Sequence, residues 1–184
     1  RLAGMDVGLY LNPQGAPDRD PATFRGELLD LAGVASDVGF EHVSAGQHYL
    51  SEYTQLQLFP FLARVTAEVE DVEVGTGVVL LPFHHPVHVA ERIGTLDALH
   101  DGPTVFGVGA GYRDEEFAAF EVPKSERVPR LVETLELATR LLSEERVTHD
   151  GEFYAVEDAT IPVRPDPSDL SVWMAGNANP AVER

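Results

Sequence analysis

The chain contains no cysteine, one lysine, one tryptophan and two methionines in 184 residues. Without cysteine there is no disulfide, no thiolate nucleophile and no thiolate metal site, so the fold must stand on packing alone. Apolar runs stay short of the roughly 18 residues that a transmembrane helix needs. No basic segment followed by an apolar stretch opens the sequence, so no secretory signal is visible. The expectation is a cytoplasmic protein that does not enter a membrane. Positive charge is also scarce: 13 basic residues face 31 acidic ones, a net charge of −18. Such a field repels nucleic-acid backbones and anionic lipid surfaces. Lys124 stands beside twelve arginines. That bias favours a halophile-like surface whose self-repulsion is screened by counter-ions, the alternative being an acidic protein from an arginine-favouring genome.

The length suits one domain over residues 1–184, and a chain of 20.1 kDa buries about 70 % of its extended surface. Met5–Leu11 reads as a short strand. Asp20-Pro21 supplies an N-cap and a first-turn proline, and Phe24, Leu28, Leu31, Ala35 and Val38 then recur at helical spacing. Phe40–Ala45 is a second strand, and Phe61, Leu62, Val65 and Val69 predict a helix. Val72–Leu81 is the most strand-like run. Pro86 opens a helix carrying Val89, Ile93, Leu96 and Leu99, and Val105–Val108 is a fourth strand entering a glycine-rich loop. A helical turn follows at Glu115–Phe120. Ser125 is positioned to cap a long helix bearing Val128, Leu131, Leu135, Ala138 and Leu142. Asp150-Gly151 centres a hairpin, and Ser171–Ala175 is a fifth strand.

Strands alternating with helices predict βαβ units and a parallel sheet, and near-continuous apolar strands fit a sheet covered on both faces. About five βα steps are present: a doubly wound open sheet could close here, whereas a complete (β/α)8 barrel takes about 250 residues. On that reading the domain is C-terminally incomplete, and an open strand edge is an aggregation liability unless something covers it.

Several residue groups carry chemical potential, each with a structural alternative. Gly107-Val108-Gly109-Ala110-Gly111 follows a strand and suits either a phosphate cradle or a tight turn. It is not a dinucleotide fingerprint, because Tyr112 stands where the third glycine belongs. His84, His85 and His88 are close in sequence, but His85 precedes Pro86 and should be extended, turning His84 and His85 apart. They read as loop and helix cap, so no metal is expected. His48, just past the second strand, is either an acid/base group or a hydrogen-bonded loop residue. Gly75 and Gly77 inside a strand mark a bulge or a close approach by a ligand or helix.

In order and spacing, Val38-Gly39-Phe40-Glu41-His42-Val43, Gln47-His48-Tyr49, "VGTGVVLLPFHHP" at 74–86, Ala90–Asp97, "GVGAGYRDEEF" at 107–117 and "DGEFY" at 150–154 resemble the luciferase-like monooxygenase superfamily. These are flavin- and F-420-dependent (β/α)8 barrels, and the resemblance spans nearly the whole chain. It implies an isoalloxazine-type ring across the C-terminal strand ends, His48 as the acid/base residue beside it, and a cis peptide at Gly77-Val78 against it. It further implies that Gly109, Ala110, Gly111, Gly176, Asn177 and Ala178 meet the phosphate tail, with Arg127 as a further contact.

The implied activity is a reduced-FMN-dependent monooxygenase that transfers one oxygen atom from O2 to a small organic substrate through a flavin C4a-peroxide. A flavin reductase would be a partner, and a homodimer is expected. The alternatives are hydride transfer with coenzyme F-420 and a truncated, non-catalytic subunit. The sequence departs from the family pattern where Gln47 replaces an acidic neighbour of the histidine and Ala110 stands in place of an arginine.

Overall fold

The computed structural model describes residues 6–166 and 169–176. Five parallel segments form one sheet: β1 (Gly8–Leu11), β2 (His42–Ala45), the interrupted pair β3 (Glu73–Thr76) and β4 (Val79–Leu80), β5 (Thr104–Gly109), and β8 (Leu170–Met174). Their spatial order follows the chain, β1-β2-β3-β5-β8, with β4 continuing the third segment along β5. Helices α1 (Pro21–Asp37), α2 (Leu58–Val65) and α3 (Pro86–Asp97) fill the crossovers. The short α4 (Asp114–Ala119) and long α5 (Arg127–Ser143) join β5 to an antiparallel hairpin, β6 (Val147–Asp150) and β7 (Ala155–Ala159), ahead of β8.

Local signals act where they were read. The Asp20 carboxylate accepts the Thr23 amide hydrogen bond at 2.8 Å with Pro21 at the first helical position, and His85 Nδ1 accepts from the Val87 amide ahead of α3. Three readings need correction. The inward face of α1 carries Phe24, Leu28, Leu29, Ala32 and Ala35, while Leu31 and Val38 are 46 % and 65 % exposed. Periodicity alone admits two adjacent apolar stripes, and contact with the sheet selected the other one. Ser125 does not cap α5: it sits in a 3-10 turn at Lys124–Glu126, and the N-cap is Glu126 without a side-chain bond. Leu99 lies beyond the end of α3 and is half exposed.

The core lies between the sheet and its helices, with Leu11, Val43, Leu62, Val74, Ile93, Phe106, Leu137 and Leu141 almost fully buried. The opposite face of the sheet is more polar. There the His42 ring packs 4.8 Å from Trp173 while its Nδ1 meets Glu73 Oε2 at 2.9 Å, beside a cavity of about 730 Å³. Trp173 is half exposed. The hairpin is pinned to α5 by Glu133, whose carboxylate accepts the amides of Phe153 and Tyr154 and contacts His149 Nε2 at 3.2 Å. Burial pushes the Glu133 carboxyl up, but these hydrogen bonds outweigh it and hold the group below the ordinary carboxylate value.

No helix among the described residues is long and apolar enough to cross a membrane.

Candidate active site

All five parallel segments run the same way, so the loops at their C-terminal ends meet at one edge. Register aligns Leu11 with Ala45 and Ala45 with Thr76, while Leu80 aligns with Gly109 and Val108 with Met174. After β2 the chain continues as Gly46-Gln47-His48-Tyr49, and after β5 as Ala110-Gly111-Tyr112-Arg113 into α4.

Between β3 and β4 the Gly77-Val78 peptide is cis. Several glycines pack tightly here against neighbouring side chains. A Cβ on Gly46 would overlap the Tyr10 hydroxyl, one on Gly77 would press on Ser44 Oγ at 3.0 Å, and one on Gly109 would lie 2.6 Å from Val78 Cγ2. Gly111 has φ of +72°, a conformation that costs glycine little, and the turn carries Tyr112 outward.

His48 lies two residues beyond Gly46, at the side of this glycine-rich floor. Its Nδ1 lies 3.1 Å from Glu116 Oε1, and the same oxygen accepts the Tyr49 amide at 2.8 Å. Arg113 NH1 is 3.7 Å from that oxygen and donates to the Tyr49 carbonyl at 3.0 Å. Glu116 is 0 % exposed, and its Oε2 is buried without a hydrogen-bond partner.

An ionised carboxylate only accepts, so neutral His48 keeps its hydrogen on Nδ1 and presents the Nε2 lone pair. Nε2 has no partner among the described residues. The acidic neighbour that the sequence lacks at position 47 is therefore supplied from α4. Glu116 was not singled out in the sequence. Its signal was the i, i+3 spacing from Arg113 and its place beside buried Phe117, within a triplet whose other two acids are solvated.

Behind His48 the loop is braced by a second network. Gln47 Oε1 accepts the Leu80 amide at 3.1 Å and meets His84 Nε2 at 3.0 Å, and Gln47 Nε2 donates to the Tyr49 hydroxyl at 2.9 Å. Arg92 NH1 reaches His84 Nδ1 at 3.3 Å, which fixes the neutral ring with its hydrogen on Nε2. Burial, then the Arg92 charge, push the His84 pKa down from 6.5 to about 4. The unfolded chain takes up this proton near 6.5 and the folded one only near 4, so stability is expected to fall as pH drops through that window. Urea titrations at several pH values check this, and His84→Gln should flatten the slope. An unchanged slope would remove His84 from the account. His85 instead turns to Tyr154, with ring centroids 5.1 Å apart, so the two histidines do point apart.

Of the residues that the family resemblance marked, His48, Gly77, Val78, Gly109, Ala110 and Gly111 share this edge. Gly176 follows β8 one residue after Ala175, whose amide bonds the Val108 carbonyl at 2.9 Å. Asn177 and Ala178 lie outside the described residues. Arg127 opens α5 and donates to the Lys124 carbonyl at 3.2 Å.

A family model for luciferase-like monooxygenases matches residues 5–184. The chain belongs to that family. It is 34 % identical to an F420-dependent glucose-6-phosphate dehydrogenase of Microbacterium testaceum, covering 86 % of this chain and 48 % of that protein. The crystal structure of monooxygenase RslO1 from Streptomyces bottropensis superposes with a TM-score of 0.90 at 31 % identity, over 96 % of this chain and 55 % of that one. An FMN complex of the oxygenating component of 3,6-diketocamphane monooxygenase, from a Pseudomonas putida plasmid, shares the fold at 19 % identity. Its TM-score is 0.75, over 88 % of this chain and 44 % of that one. The chain thus spans about half the length of the relatives it matches, and family relatives use FMN or F420. The parallel order of its five segments is that of the first part of a (β/α)8 barrel, as the family resemblance implied.

Proposed function

We propose that this luciferase-like oxidoreductase is a monooxygenase that works with reduced FMN on a small organic substrate and O2, with His48 as its proton-handling residue. The carrying observation is the His48–Glu116 pair, which leaves Nε2 free beside the glycine floor. Gly46, Gly77 and Gly109 bring backbone rather than side chains to this edge, packed against Tyr10, Ser44 and Val78, which suits a flat tricyclic group. Gly77, Val78, Gly109, Ala110 and Gly111 would hold the ring and the start of its tail, and Gly176, Asn177, Ala178 and Arg127 are proposed for the remainder. When bound, the group supplies the redox chemistry.

The chain's own contribution is positional and electrostatic. Glu116 orients the imidazole, Nε2 accepts a proton from a bound group, and the buried carboxylate stabilises the resulting charge. A separate flavin reductase would deliver reduced FMN, and the active form is proposed as a homodimer.

Hydride transfer with F420 is the second reading, favoured by the 34 % identity to an F420-dependent relative and by Ala110 in the glycine loop. Titrating the protein with FMN and with F420, then running turnover under labelled dioxygen, separates the two. FMN binding with label in the product supports the first, and F420 binding with turnover free of oxygen supports the second. Failure to bind either ring in a folded sample would sink both.

A further inference from the structure

Tyr112 has no structural occupation. Gly111's positive φ carries it to the mouth of the site, where it is 69 % exposed. Its hydroxyl makes no hydrogen bond among the described residues, and its described ring contact is with His48, edge to face at 5.7 Å between centroids. A second phenol, the half-exposed Tyr10, lies against Gly46 and Gly77. His48 is therefore accompanied by two partly exposed rings.

The charges at this mouth argue against an anionic substrate. Arg113 is committed to the Tyr49 carbonyl and to Glu116, and Lys124 is paired with Asp114 at 2.7 Å. Glu115 remains on the rim, 3.9 Å from Arg113. An aliphatic hydrocarbon would leave the Tyr112 hydroxyl unused.

We propose that this site takes an uncharged aromatic substrate bearing a carbonyl or hydroxyl oxygen, and that Tyr112 selects it by stacking its ring and donating its hydroxyl hydrogen to that oxygen. The inference rests on the reading of the His48 edge as the reaction centre, and it adds a substrate class. A planar ring gains from offset stacking on a tyrosine. A phenol hydroxyl that donates to a ligand oxygen adds a contact that a ring without oxygen lacks.

The test is equilibrium binding to protein carrying carbon-13-labelled tyrosine, with 1,4-naphthoquinone, 2-naphthol, naphthalene and glucose 6-phosphate as probes. The Tyr112 resonance is assigned by its loss in Tyr112→Phe. Naphthoquinone and naphthol should shift that resonance and bind more tightly than glucose 6-phosphate. Tyr112→Ala should weaken naphthoquinone binding by about 2- to 12-fold. Tyr112→Phe should weaken naphthoquinone while sparing naphthalene. Equal naphthoquinone affinity in Tyr112→Ala and the parent, or tighter binding of glucose 6-phosphate, would overturn the proposal. FMN and F420 titrations on the same samples report separately on the reaction-centre reading, since Tyr112 is exposed and its loss leaves the glycine floor in place.

Discussion

Replacing His48 with alanine lowers turnover by about 10²–10⁴-fold, the range for losing a positioned acid/base group, while FMN or F420 still binds. Glu116→Gln is the more informative partner. Glutamine can still accept from His48 Nδ1 and from the Tyr49 amide, so it keeps the orientation and removes the charge. A large loss in Glu116→Gln therefore reports the electrostatic contribution, and a loss only in Glu116→Ala reports orientation. The two residues act as one unit, so the double variant is expected to cost little more than His48→Ala alone. Nitrogen-15 NMR of His48 supplies a readout independent of rate. The parent should hold its hydrogen on Nδ1, and Glu116→Ala should mix the two tautomers. Turnover at parental rates in His48→Ala, with cofactor saturating, would end the assignment.

The second large effect is on stability. Gly107 lies inside β5 where any Cβ would overlap the Thr76 carbonyl oxygen, and Thr76 Oγ1 donates to the Gly107 carbonyl at 2.7 Å. The two strands approach here one residue before the Gly77-Val78 peptide. The obstructing oxygen and carbon of the Thr76 carbonyl belong to backbone, so no rotamer change can absorb an added methyl. Gly107→Ala is expected to destabilise by at least about 1–3 kcal/mol, the usual cost of overpacking, and to weaken ring binding by shifting the floor of the site. Urea denaturation measures the first effect and cofactor titration the second. Parental stability in both would mean that the strands yield more easily than their hydrogen bond suggests.

Much of the scaffold follows from local chemistry. Asp20-Pro21 and His85-Pro86 start helices because a side-chain acceptor and a fixed φ act within one turn. Parallel pairing follows because each βα crossover returns the chain in the same direction. His48 and the glycine loop were legible through their order along the chain and their likeness to a family, since function there depends on residues next to strand ends. The exposed and buried stripes of α1 were not separable, because Leu31 and Leu29 differ only in which side meets the sheet.

Glu116 marks the boundary most clearly. It lies 68 residues from His48 in the chain, and the Arg113 spacing and neighbouring Phe117 are too slight a local signal to separate it from Asp114 and Glu115. The sequence by itself determined a parallel α/β chain of barrel type, an acidic surface and a histidine at a strand end. The tertiary structure decided which carboxylate holds that histidine and which of its nitrogens stays free. Such a pairing depends on packing α4 against the β2 loop, and burial of one acid among three is a property of that packing alone.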